Sequence, residues 1–156
     1  MPFDSPFALG PFMVDETGRL SPTEAGVFPA FRLLWRGCAV QVAMAQVQAG
    51  VGTLVLDLPA GRIASTAGDA HTRSQPRREV AFAALRVVAE LVPAGWRLGL
   101  RADHGVGLTV EVPLAMPASA NDLISQVTRI LLAAGPYLDV LAEAGVECGR
   151  AKTCPG

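Results

Sequence analysis

The stretch from Trp96 to Val112 constrains the fold more than any other part of the chain. Trp96, Leu98, Leu100 and Ala102 alternate with Arg97, Gly99, Arg101 and Asp103. After His104-Gly105, the set Val106, Leu108, Val110 and Val112 alternates with Gly107, Thr109 and Glu111. A period of two puts successive side chains on opposite faces of a strand, so this segment reads as an antiparallel hairpin with one buried face. Such a face must be covered by a second layer, and the rest of the chain has to supply both further strands and the cover.

Further strands follow from the same periodicity. Phe31, Leu33 and Trp35 alternate with Arg32, Leu34 and Arg36, and Gly37 precedes a second run through Val40, Val42 and Met44, which predicts two strands around a turn at Arg36-Gly37. The Ala and Gln content of 39–49 also suits a helix, and strand is the reading adopted. Leu54, Leu56 and Leu58 mark another strand, which Pro59-Ala60-Gly61 ends or turns back towards Ile63. Phe12 to Val14, the turn formers Asp15-Glu16-Thr17-Gly18 and then Arg19-Leu20 predict a short hairpin or edge element.

Two helical segments supply the cover. Ser74 as N-cap, Pro76 in the first turn and Val80, Ala84, Val87 and Leu91 at helical spacing predict a helix that stops at Pro93 and Gly95. It is apolar around much of its circumference, which predicts deep burial. Ser119 or Asn121 caps the second, whose stripe is Leu123, Ile124, Val127, Ile130 and Leu131; Pro136 allows either one kinked helix or two. Between the halves, Ser65 to Gln75 has almost no large apolar residue and reads as an exposed, mobile loop. The order strands, helix, hairpin, helix predicts an α+β domain: a two-layer, mostly antiparallel sheet of about five strands with two helices on one face. Residues 1–146 form this single domain, and 147–156 read as a frayed tail.

Composition narrows the function. The 156 residues are 51% hydrophobic, much of it Ala, and that surplus points to a buried subunit interface. Lys152 is the only lysine, and 13 basic against 14 acidic residues give a net charge of -1, without the basic footprint of a nucleic-acid binder. Prolines 2, 6 and 11 interrupt any signal-peptide core, and no apolar run is long enough for a membrane span, so the cytoplasm is the expected location. Three cysteines, Cys38, Cys148 and Cys154, are an odd number without zinc-site spacing and read as free thiols. No phosphate-loop, dinucleotide or nucleophile-elbow pattern occurs, so no cofactor, metal or catalytic residue is assigned.

The candidate binding residues are His71, in the expected loop, with Arg73, Arg77 and Arg78 at the start of the first helix, where an anion or acidic peptide would find positive charge. His104, between Asp103 and Gly105, belongs to the hairpin turn. Trp35 and Trp96 sit on the apolar sides of strands; core packing is the plain reading, and a subunit or partner interface competes with it.

From Val80 to Ala144 the chain reads as helix, hairpin, a Val112-Pro113-Leu114 exit, a capped start at Ser119 to Asp122 and a long Leu- and Ile-rich terminal helix. In that order it resembles the type III secretion chaperone-like superfamily. The resemblance implies an antiparallel sheet with helices on one face and a non-catalytic homodimer that offers apolar grooves or sheet edges to an extended segment of a protein or peptide partner. The competing readings are a small enzyme or ligand-binding domain with a pocket at the Ser65-to-Arg78 loop, and a structural subunit of a larger assembly.

Overall fold

Residues 4–23, 29–63 and 71–148 are described by the computed structural model. Three short strands come first, β1 (Phe7–Leu9), β2 (Phe12–Val14) and β3 (Leu20–Pro22), followed by β4 (Ala30–Trp35), β5 (Cys38–Gln48) and β6 (Val51–Arg62). Then come α1 (His71–Leu91), β7 (Trp96–Leu100), β8 (Gly105–Ala115) and α2 (Ala120–Glu143). The class is α+β: β1-β2-β3 form one antiparallel sheet, and five antiparallel strands form another in the order β4-β5-β6-β8-β7.

Periodicity carries directly into register. Leu56 lies opposite Val42 on one side and Val110 on the other, and Leu58 lies opposite Leu108, all on the apolar face. Leu54, Leu56, Leu58, Leu108 and Val110 have no exposed surface, whereas the alternate residues Thr53, Val55 and Asp57 stay half-buried on the other face. The β4–β5 hairpin closes Trp35 onto Cys38, leaving Arg36 and Gly37 as a two-residue loop with φ of 53° and 76°. Two positive φ values in such a loop match the twist of the flanking strands.

The helix layer has three parts. Helix α2 lies against β6 and buries Leu123, Val127, Ile130, Leu131, Ala134, Leu138 and Leu141, as its stripe predicts. It is one helix with Pro136 inside it. Beside it on the β4 flank sits the small sheet, which buries Phe12, Val14 and Leu20 and joins the entry to α2 through hydrogen bonds from Leu20 N–H to Ala118 O and from Ala120 N–H to Gly18 O. On the other flank α1 packs mainly against α2 and β7.

That placement corrects the expected deep burial of α1. Among the residues of this helix whose side chains are described, only Ala81 and Val88 are buried, while Val80, Val87 and Leu91 are 55, 49 and 62% exposed. A helix apolar around much of its circumference predicts deep burial, but α2 lies against β6 and α1 packs at the β7 flank. Helix α1 also begins earlier than predicted, so 71–75 are helical, with Pro76 inside the helix; residues 65–70 of the expected loop lie outside the described residues. Strand β6 likewise runs through Pro59-Ala60-Gly61, because a bulge between Pro59 and Gly61 absorbs the irregularity without ending the pairing to β8.

The ends of α2 are built from local chemistry. Asp122 N–H donates to Ser119 Oγ and Ser119 N–H donates to an Asp122 carboxylate oxygen, both at 3.0 Å, a reciprocal capping box. The Ser119 backbone N–H, then its hydroxyl, holds the Asp122 carboxyl below its ordinary value of 3.8. A lowered folded pKa means that the carboxylate favours the fold above the unfolded value and ceases to do so as pH falls through the folded one. Ser119→Ala is expected to cost about 1 kcal/mol in urea denaturation at pH 7, and the gap to wild type should shrink below pH 3.8. At the other end, Gly145 takes φ 85° and donates to Ala142 O while Val146 N–H returns to Leu141 O, a Schellman stop that buries Val146 beside Leu141.

Two expectations for the cysteines and tail are corrected here. Cys38 and Cys148 are joined as a disulfide across 110 residues, with Cα atoms 5.9 Å apart, instead of standing as free thiols. Sequence spacing could not show it, because the Schellman turn is what brings the end of α2 back onto the start of β5. Residues 147 and 148 are therefore held against the domain; Cys154 lies outside the described residues. No helix is long and apolar enough to cross a membrane among the described residues.

Candidate binding groove

An apolar groove of about 480 Å³ opens between β4, the β1–β2 turn and the N-terminal half of α2. Phe31 and Leu33 of β4 form one wall, Leu123, Ile124, Val127 and Leu131 of α2 the opposite one, and Leu9 to Phe12 close the end. The Phe12 ring meets Phe31 edge-to-face, with centroids 6.2 Å apart, which fixes the turn against the strand. Ile124 is 59% exposed, so the groove surface is open to solvent and not a sealed defect in the core.

The groove runs beside a sheet edge. β4 is the outermost strand on its side, and no strand pairs with its outer edge among the described residues. Its alternate residues point as the pleat dictates: Phe31 and Leu33 towards the core and groove, Arg32 and Leu34 outwards. Arg32 stands at the rim and makes no ion pair among the described residues. Unpaired edge backbone, apolar pockets at alternate positions and a rim cation are the parts that receive an extended segment.

The sequence-predicted binding residues are not assembled into one site. Arg77 lines a separate cleft of about 610 Å³ between α1 and the end of α2, with Arg62, Ile63, Pro76, Val80 and Glu143. Arg78 turns away and lies over the Phe82 ring at 5.5 Å. His71 and Arg73 are in the first turn of α1, and their side chains lie outside the described residues. His104 takes φ 63° in the β7–β8 turn, as its position between Asp103 and Gly105 predicts. Trp35 and Trp96 are both half-buried against the core; Trp96 meets Tyr137 edge-to-face at 6.0 Å, and Trp35 carries Arg36 over its ring at 5.5 Å.

On the outer face of the large sheet, polar groups are spent on one another. Arg101 pairs with Asp57 at 2.6 Å, Arg97 with Glu111 at 2.6 Å and Arg62 with Asp103 at 3.2 Å. The Gly105 backbone N–H, assisted by Arg62, keeps the Asp103 carboxyl below its ordinary range. Among the described residues no group of three His, Cys, Asp or Glu is placed to hold a metal ion.

Part of the groove escaped sequence reading. β1, with Leu9, lies between Pro6 and Pro11 and is too short to show a period. Ile124 reads as one more member of the α2 stripe, although it stands on the exposed shoulder. The usable signal is an apolar residue adjoining, but not within, the buried set Leu123, Val127 and Leu131. Compared with known proteins, the chain matches no family model, no curated protein and no solved structure.

Proposed function

We propose that this chain is a non-catalytic, chaperone-like protein-binding module that works as a homodimer and receives an extended segment of a partner protein in the groove beside β4. The observation that carries the reading is the apolar groove lying alongside an unpaired strand edge. The order β4-β5-β6-β8-β7 with a helix between β6 and β7 and another after β8 supports the resemblance to the type III secretion chaperone-like superfamily. The partner segment adds a strand to β4, sends every second side chain into the groove and favours an acidic residue near Arg32.

Dimerisation uses the opposite flank. Val80, Val87 and Leu91 form an exposed stripe on α1, and Leu100 of β7, the edge strand on the same flank, is 50% exposed. A second copy presenting the same stripe covers it by an isologous contact. The α1 stripe takes over the interface role considered for Trp35 and Trp96, whose rings are engaged within the chain.

The groove is tested by selecting peptides from a random display library on the intact protein. Enriched sequences should carry apolar residues at every second position, and Ile124→Glu should weaken their binding at least tenfold, because it places a carboxylate in an apolar site. Selected peptides that bind Ile124→Glu as tightly as wild type would refute the groove as the site.

A second reading rests on the cleft that Arg62 and Arg77 share, which suits a small anionic ligand. Loss of anion binding in Arg77→Ala, with peptide binding unchanged, would establish it separately. A cytoplasmic location is part of the proposal. A disulfide found there is usually transient or redox-sensing, and otherwise marks an oxidising compartment.

A further inference from the structure

The two main walls of the groove are fastened to each other at their far ends. Along β4, Phe31 and Leu33 are followed by Trp35 and the Arg36-Gly37 turn; along α2, the wall residues Leu123 to Leu131 are followed by Leu138, Asp139 and Ala142. Arg36 is ion-paired with Asp139, and Cys38, directly after the turn, is bonded to Cys148 just beyond α2. The ion pair is partly exposed and holds weakly. The covalent link is the stronger tie.

We propose that the Cys38–Cys148 disulfide is a redox latch: it holds the C-terminal end of α2 on the β4–β5 turn and so sets the width of the groove. This inference rests on the groove reading and adds its regulation. The segment it holds has little else to keep it in place. Past Val146, no backbone hydrogen bond joins the segment to the sheet among the described residues. Cys148 Sγ lies 3.6 Å from Pro59 O, but a disulfide sulfur carries no proton to donate. Glu147 rests on β6 by contact alone, its backbone so close to Gly61 that a Cβ there would come within 2.5 Å of it. Cys148 is half-buried and lines two clefts, the route by which an attacking thiolate would approach the bond.

The step needs a dithiol reductant. Its thiolate attacks one sulfur of the bond, forming a mixed disulfide and releasing the other cysteine as a thiolate that takes up a proton. The second thiol of the reductant then displaces the remaining cysteine. The S–S bond of the protein is broken, one forms in the reductant, two electrons have passed to the protein, and Cys38 and Cys148 end as thiols. In that state residues 147 and 148 leave β6, and the end of α2 is held to the turn by packing and the Arg36–Asp139 pair.

The test uses the full chain and the anionic aromatic dye 1-anilinonaphthalene-8-sulfonate, which fluoresces on apolar surface, titrated before and after reduction with dithiothreitol, with far-UV circular dichroism recorded in parallel. The dye dissociation constant should change at least threefold on reduction with secondary structure unchanged. The Cys38→Ser/Cys148→Ser double variant should show the reduced value with or without dithiothreitol. Equal dye affinity in both states would overturn the latch and leave the groove reading standing. Unfolding on reduction would also overturn the latch, making the bond a staple of the whole fold. Dye binding that Ile124→Glu fails to weaken in either state would overturn the groove reading itself.

Discussion

Leu108→Asp is expected to abolish folding. Leu108 has no exposed surface and lies in β8 between Leu58 of β6 and Leu98 of β7, at the centre of the apolar face. A carboxylate there would have no described basic partner, because Arg97 of β7 and Arg101, directly after it, are paired with Glu111 and Asp57. Burying an unpartnered ionised group costs more than the roughly 4–5 kcal/mol that marks exceptional substitutions. A domain of this size has only about 5–15 kcal/mol to lose. The variant should be recovered as aggregate or show no cooperative thermal transition by circular dichroism. A soluble variant with a wild-type transition would mean that the β8 register is shifted by one residue, which would put Leu108 on the outer face.

The second large effect concerns the disulfide. Removing it with the Cys38→Ala/Cys148→Ala pair should lower stability by about 2–5 kcal/mol, since the bond closes a long loop and restricts the unfolded chain. The two cysteines are separated by 110 residues, near the upper end of what such closure gives. Urea denaturation of the oxidised protein and the double variant measures the difference directly. The variant should still fold, because the buried face of the large sheet is built mainly from Leu54, Leu56, Leu58, Leu108 and Val110, and Cys38 is buried at its end, outside the central cluster. An unchanged denaturation midpoint would show that the bond contributes no restriction to the unfolded state.

What could be read from the sequence was set by the distance over which its signals act. The β7–β8 hairpin, the Arg36-Gly37 turn, the Ser119 cap and the stripe of α2 each depend on residues within a few positions of one another, and each stands where periodicity or turn chemistry puts it. The exposure of α1 was not legible, because the pattern at Val80, Val87 and Leu91 says that the helix is apolar and not where in the layer it lies. The persistence of β6 past Pro59 was hidden for a related reason: proline and glycine mark a break or a bulge alike, and the partner strand decides between them. The groove combines Leu9, Phe31 and Ile124 from three separate elements, and no local pattern links them. The Cys38–Cys148 bond is equally non-local and depends on the turn at Gly145.

The two proposed surfaces lie on opposite edges of one sheet, β4 with its groove and β7 with α1, so the proposed self-association and partner binding are compatible in the same assembly. Val87→Glu is the counterpart of the groove variant, placing charge on the α1 stripe at a residue 49% exposed, where the isolated fold tolerates it. The most direct single test is native mass spectrometry of the intact chain mixed with a groove-selected peptide. Wild type should appear as two chains with two peptides, and Val87→Glu as one chain with one peptide. A wild-type chain that remains a monomer, or a dimer that binds no peptide, would contradict the proposed function.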